Sequence, residues 1–248
     1  MIVEPVPTQY LELLHKYDSP TVANMVELFN LQPRTVGYAD HRTRAIFPDF
    51  GPIVGYATTA TYRTAEPPDP AKSYPVIADW VARYDSDLPR PRILVTQDLD
   101  ETPRAALFGD VMCTTHQAFG CIGLVTSGCI RDLDQIHDKG FPCYAAGVNP
   151  SHGYCHLVDF HAPVTVGGLD IAPGDLLHAD RNGVVCIPRE VAPQVALCCE
   201  RVVEAEAEVL QYLERTPRPT PEELREAFKR MKQGFAQIAA EVQEELRS

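Results

Sequence analysis

The chain has 248 residues, 45% apolar and 23% charged. That is ordinary globular composition, which excludes a mainly disordered chain, and the length suffices for a core that needs no disulfide or metal staple. Lys and Arg number 22 against 34 Asp and Glu, a net charge of −12, so the surface as a whole repels phosphate backbones. The short basic clusters (Arg42 and Arg44, Arg90 and Arg92) lack interleaved aromatics, and no nucleic-acid partner is expected. No apolar run approaches the ~20 residues that span a bilayer. The N-terminus MIVEPVPTQY has neither the basic flank nor the apolar stretch of an export signal. No membrane partner and a cytoplasmic location are therefore expected. Eight cysteines spread through apolar stretches read as reduced, mostly buried thiols.

In chain order, residues 19 to 29 predict a first helix, with Ser19 as N-cap, Pro20 at the first helical position, and Val22, Met25, Val26 and Phe29 on one face. A strand is predicted over Ile53–Thr61. After the prolines at 67, 68 and 70 comes a helical stretch near Tyr74–Tyr84. Arg92–Thr96 reads as a buried strand, Val111–Phe119 as a helix opened by Gly109-Asp110, and Ile122–Thr126 as another strand. Leu133–Lys139 reads as a short helix stopped by Gly140, and Cys143–Val148 as extended. This alternation argues for an α/β layer. From Val164 to Ile187 four short apolar runs separated by Gly-, Pro- and Asp-containing turns predict a β meander. The last sixty residues predict an antiparallel helical hairpin. Val195, Val202 and Val209 recur every seven residues. Thr220, Pro221 and Glu223 form a capping box, and Leu224, Phe228, Met231, Phe235, Ile238 and Val242 follow as a stripe.

The chemistry concentrates in Gly109–Asp132, GDVMCTTHQAFGCIGLVTSGCIRD. A glycine and an acidic residue opening a helix leave the backbone N–H groups of Asp110, Val111 and Met112 free at a positive dipole end, a ready site for a small carboxylate. The next strand ends in a glycine turn, with Arg131-Asp132 just beyond it. In an α/β layer the two clusters share a crevice, where Arg131 supplies a planar fork for a carboxylate or oxyanion and Asp132 a hard oxygen for a divalent cation. The plainer alternative is a solvated ion pair, with Asp132 capping the helix from Leu133. His152, His156, Cys143 and Cys155 have zinc-like content, but Gly153 and the surrounding strand and loop signals oppose the helix that this spacing suits. His116 reads as a packing or surface histidine, and Cys198-Cys199 as packing.

The twenty residues between Asp110 and Arg131, with Asp132 directly after, resemble the signature of the 4-hydroxy-4-methyl-2-oxoglutarate aldolases, which share a fold with the RraA-like regulators of ribonuclease E activity. Ala146-Gly147-Val148-Asn149-Pro150, Gly167-Gly168, Pro173-Gly174-Asp175 and Ala179-Asp180-Arg-Asn-Gly183 follow in family order, and the likeness spans roughly residues 19 to 190. The resemblance implies an RraA-like swivelling β/β/α domain over residues 1–190 that carries the site, a C-terminal hairpin over 191–248, and a homotrimer or homohexamer. It implies that Asp132 binds Mg²⁺ or Mn²⁺, that Arg131 contacts a 2-oxo acid, and that the Gly109–Met112 segment receives the carboxylate. Asp110 is implied to orient Arg131 or a metal-bound water. Asn24 stands where the family commonly has Asp. An acidic residue from a neighbouring subunit is also implied, with Glu200, Glu204, Glu206 and Glu208 all in range. The expected function is a metal-dependent lyase that forms a pyruvate enolate by retro-aldol cleavage or decarboxylation. The alternatives are a noncatalytic regulator that binds a partner protein, or a related lyase or hydratase acting on sugar-derived acids.

Overall fold

Two short helices lead the chain. In the computed structural model, which describes residues 3–247, α1 (Thr8–Leu14) follows Pro7 and buries Leu11 and Leu14, and α2 (Ser19–Leu28) buries Val22, Met25 and Val26. The cap of α2 is Asp18 rather than Ser19: the Asp18 carboxylate accepts from the Thr21 N–H at 2.9 Å. The Ser19 hydroxyl turns inward to His178 Nδ1 at 3.1 Å. Nothing in the sequence marks α1, because seven residues hold too few apolar positions for a 3.6-residue period to register.

β1 (Arg44–Ala45), β2 (Ile53–Arg63), α3 (Ile77–Asp87) and β3 (Arg92–Asp98) follow. The helix α3 starts later than Tyr74 because Pro75 biases its predecessor towards extended backbone, and the Asp79 carboxylate accepts from the Val76 N–H at 3.2 Å. Then come β4 (Ala106–Phe108), α4 (Asp110–Ala118), β5 (Cys121–Thr126), β6 (Cys129–Ile130), α5 (Leu133–Asp138), β7 (Cys143–Ala145) and β8 (Gly147–Val148). The extended run at 143–148 is two strands in two different sheets, divided where the Ala146 N–H donates to Gly128 O at 3.0 Å. β9 (His156–Phe160), β10 (Val164–Val166), β11 (Leu169–Ile171), β12 (Leu176–Asp180) and β13 (Gly183–Ile187) precede the long helices α6 (Ala192–Arg215) and α7 (Pro221–Glu245).

The main sheet runs β1-β7-β5-β3-β2-β12-β13, with β9 also on β2. Its β7-β5-β3-β2 centre is parallel. The first eight residues of β2 are all buried, as expected of a strand covered on both faces. Val54, Tyr56, Ala60 and Tyr62 point into the core under the helices, while Ile53 and Ala57 join Val164, Val166, Leu169 and Ile171 on the other side. The predicted meander is therefore split. β10 and β11 form a two-stranded sheet of their own, and β12 returns to β2. The switch is the Pro173-Gly174-Asp175 loop, whose Gly174 N–H donates to Ala57 O and whose Asp175 O accepts from the Ala57 N–H, both at 2.8 Å.

In the C-terminal hairpin, Val195 and Val202 are fully buried in the same core as α1 and α2, and Val209 is 7% exposed. Of the stripe predicted on α7 only Ile238 and Val242 are buried, and Ala227, outside that stripe, is buried with them, whereas Phe228 is 43% exposed. The first half of α7 thus runs beside α6 without a third layer over it.

His116 is a fully buried packing residue. Its Nδ1 lies 2.9 Å from the Tyr84 hydroxyl, its ring meets Trp80 edge-on at 4.7 Å, and its Nε2 is buried without a partner among the described residues. Burial lowers its pKa to about 4, so the folded protein holds it neutral. The unfolded chain binds a proton near pH 6.5. Between those values the unfolded state carries more protons, so stability is complete above pH 6.5 and falls as the pH drops towards 4. The His116 contribution to that loss is about 3 kcal/mol, and buried His178, also depressed by desolvation, acts in the same direction. Urea unfolding at pH 7 and pH 4.5 should show the loss, and His116→Phe should remove the His116 share of the pH dependence.

Candidate active site

Three short parallel strands set the site. β4, β6 and β8 form a small sheet, so the segments leaving β4 and β6 emerge side by side. The Arg131 N–H donates to Phe108 O at 2.9 Å, which puts Arg131-Asp132 against Gly109. Gly109 is the N-cap of α4, and Asp132 directly precedes α5.

Asp132 adopts a left-handed backbone (φ 59°, ψ 46°) and makes no side-chain cap on α5. Its carboxylate instead reaches α4, where Oδ2 accepts from the Asp110 N–H at 2.9 Å. An anion is thereby docked at a helix N-terminus, where free N–H groups and the dipole favour it. Arg131 Nε lies 3.6 Å from the same oxygen, and both side chains are about one-third exposed. A Cβ at Gly109 would overlap Asp132 Oδ2 and lie 3.1 Å from Arg131 Cγ. The Gly109 backbone is extended (φ −153°), so the need for glycine here is space.

The three amides predicted to cradle a carboxylate divide. That of Asp110 is taken by Asp132; those of Val111 and Met112 have no acceptor among the described residues. The Asp110 carboxylate does not touch Arg131. It pairs with Lys139 Nζ at 2.6 Å, because the first helical position turns its side chain towards the C-terminal end of α5.

A cavity of about 420 Å³ brings the residues together. Gly109, Val111, Met112, Arg131 and Asp132 line one side, and Tyr62, His152, Cys155 and His156 line another, with Val76, Ile77 and Leu157 among the apolar remainder. The His152 and His156 side of the cavity was legible in the sequence only as possible metal-ligand content. Tyr62 was not marked at all, since it falls one residue past the predicted strand Ile53–Thr61. Burial pushes the Cys155 thiol up to about 11, so it is a neutral wall group and not a nucleophile. A wider cavity of about 600 Å³, between His41–Arg44 and Asp98–Glu101, contains none of these residues.

Among the described residues no three His, Cys, Asp or Glu side chains cluster as metal ligands. Asp132 Oδ1 has no hydrogen-bond partner among them and belongs to a side chain facing the cavity. A single hard oxygen beside room for a chelating ligand and water fits Mg²⁺ or Mn²⁺, which keep several waters and take one or two carboxylates. It does not fit a closed structural zinc site. Of the acidic residues on α6, Glu206 accepts from Asn24 Nδ2 at 3.1 Å, and Glu208 pairs with Arg230 at 2.7 Å. Asn24 thus ties α2 to α6.

Residues 22–186 match the RraA-like family, described as Aldolase/RraA. The chain belongs to the RraA-like family. Curated relatives include a protein of Hahella chejuensis provisionally named a 4-hydroxy-4-methyl-2-oxoglutarate aldolase, 32% identical over 45% of this chain and 69% of that protein. A protein of Azotobacter vinelandii with the same provisional name is 37% identical over 35% of this chain and 54% of its own length. Each match is therefore to a segment of both proteins. Among solved structures, an uncharacterized protein of Pseudomonas syringae pv. tomato superposes with a TM-score of 0.71 at 20% identity, covering 92% of this chain and 97% of that one. Streptomyces coelicolor RraAS2, described as an unusual member of the RNase ES inhibitor RraA protein family, gives 0.64 at 22% identity over 82% and 96%. These likenesses establish the fold.

Because Gly109 serves by its lack of a side chain, Gly109→Ala should lower stability by about 1–3 kcal/mol through overpacking and displace Asp132. Gly51→Ala, where a Cβ meets nothing within 4 Å, should stay within about 0.5 kcal/mol of the parent. Urea melts of the two variants check the contrast.

Proposed function

We propose that this protein is a divalent-cation-dependent lyase that cleaves a 2-oxo acid to the enolate of pyruvate, of the 4-hydroxy-4-methyl-2-oxoglutarate aldolase type, with oxaloacetate decarboxylation as a companion activity. The observation that carries the reading is the meeting of Arg131 and Asp132 at the N-terminus of α4, in the wall of one cavity. The substrate carboxylate is received by the free N–H groups of Val111 and Met112, aided by the helix dipole. Arg131 directs its guanidinium at the 2-oxo oxygen, where negative charge accumulates as the carbon–carbon bond breaks; a preorganised donor there lowers the barrier because it needs no reorganisation. Asp132 would hold Mg²⁺ or Mn²⁺ through Oδ1, and the bound cation supplies Lewis-acid polarisation of the 2-oxo group. Ile77 and Leu157 make part of the wall apolar. No lysine lines the cavity among the described residues, in keeping with a route that needs no Schiff base.

A ring trimer, or a stacked hexamer, belongs to the same proposal. The exposed Leu197, Val203, Leu210 and Leu213 along α6 are the kind of apolar surface that a subunit contact covers.

Pyruvate release from 4-hydroxy-4-methyl-2-oxoglutarate or oxaloacetate, followed through a coupled dehydrogenase with and without Mg²⁺, tests the reading. Chelator and Asp132→Ala should each abolish release, and Arg131→Ala should lower kcat/KM by about 100-fold or more, the loss of one preorganised oxyanion donor. Release that survives chelator and Asp132→Ala would remove the metal from the scheme. No release from either acid would replace the lyase with a binding regulator, the other half of the family's description.

A further inference from the structure

Retro-aldol cleavage has one proton that Arg131 and Asp132 leave unassigned. The 4-hydroxyl must lose its hydrogen as the C3–C4 bond breaks, so a base must face the far end of the substrate. Resting on the lyase reading above, we propose that His156 is this general base, acting across the cavity from Arg131.

His156 opens β9 and pairs in register with Arg63 of β2, so its backbone is fixed by the main sheet. Its side chain lines the cavity shared with Arg131, Asp132, Val111 and Met112. The ring is held twice. Nδ1 lies 2.8 Å from the Tyr154 carbonyl oxygen, and the Tyr74 ring packs edge-on at 4.9 Å. A carbonyl oxygen can only accept, so Nδ1 carries the hydrogen, and in the neutral imidazole Nε2 is left with its lone pair free. A base whose other nitrogen is fixed by a hydrogen-bonded orienting group is the arrangement that positioned proton transfer requires.

The other polar groups of the cavity are poorer candidates. The Cys155 thiol is neutral, and the Tyr62 hydroxyl is buried without a partner among the described residues. Arg131 is a permanent cation. Asp132 spends Oδ2 on the Asp110 N–H. His152 also has Nδ1 against a carbonyl, that of Gly153 at 2.9 Å, but it lies on an exposed loop, whereas His156 is half-buried.

The step balances as follows. His156 Nε2 takes the 4-hydroxyl proton, and the O–H electron pair becomes the C4 carbonyl bond. The C3–C4 pair moves into C2–C3 as the C2 carbonyl π pair moves onto its oxygen, giving the enolate with that oxygen facing Arg131. Return of the proton from the imidazolium to C3 yields pyruvate, and the C4 fragment leaves as a carbonyl compound. Decarboxylation of oxaloacetate reaches the same enolate with electrons from the departing carboxylate and no hydroxyl proton to remove. Loss of His156 should therefore separate two reactions that share Arg131 and Asp132.

The experiment measures kcat for both reactions in full-length protein with saturating Mg²⁺, in the parent, His156→Gln, His156→Asn and His152→Gln. In both His156 variants the ratio of cleavage to decarboxylation should fall by about 100-fold or more, the usual share of a general base; His152→Gln should shift it less than threefold. Parallel losses in the two reactions, an unchanged ratio, or a ratio that collapses in His152→Gln instead would overturn the assignment. So would a parent that decarboxylates without cleaving. A parent inactive on both acids marks failure of the lyase reading itself.

Discussion

The hydrogen bond from the Asp110 N–H to the Asp132 carboxylate spans 22 residues of sequence and carries the geometry of the site. It goes with a left-handed backbone at Asp132, a conformation that costs a non-glycine residue of order 1–3 kcal/mol at a constrained site. A hydrogen bond to a charged group returns about 1.5–3 kcal/mol, and the N-terminal dipole adds about 0.3–1 kcal/mol. The unusual backbone is thus sustained by electrostatics that simultaneously aim the carboxylate away from its own helix. A capping aspartate in the ordinary sense would have satisfied α5 and left the cavity wall without an oxygen.

That bond is possible because of a sheet so small that it contributes little to stability. β4, β6 and β8 are two or three residues each, yet their parallel alignment delivers two chain segments to one edge, as parallel strands do wherever they end. The large sheet supplies the rigidity behind them. Tyr62 and His156 belong to its paired strands β2 and β9, so the wall opposite Arg131 is fixed by a ladder of backbone bonds. The site joins a docked helix terminus to a sheet edge, and neither half depends on a long loop.

How far the residues announced this depends on the length of the pattern. The valines of α6 repeat over two heptads and are buried, though their spacing did not say whether this chain or a neighbouring subunit would cover them. The buried strands Ile53–Thr61 and Arg92–Thr96 were legible from β-branched content bounded by turns. Gly109, Arg131 and Asp132 were legible as a cluster, and they do meet. The direction of the Asp132 carboxylate was not legible, because capping its own helix and capping another look identical in sequence. Strand β4 left no signal because three residues cannot show a period of two. The meander was misjudged because turn chemistry says where a chain reverses and not which sheet receives it. The partner of Asp110 was not legible for a related reason: Lys139 sits at the far end of a helix whose orientation only the fold supplies.

That partner gives α5 an uncommon attachment. The six-residue helix is about 9 Å long, and both of its ends grip the same residue of α4: the Asp132 carboxylate holds the Asp110 backbone, and the Lys139 ammonium holds the Asp110 side chain. The first turn of α4 is therefore clasped from two directions like a rung between two rails. The two grips differ in kind, because a solvent-facing ion pair weakens with ionic strength while a backbone hydrogen bond hardly does. Concentrated salt would loosen the side-chain grip alone, because the distal end of α5 stays seated through fully buried Ile136 and the bond from Gln117 Nε2 to Lys139 O at 3.1 Å, which spares the cavity wall.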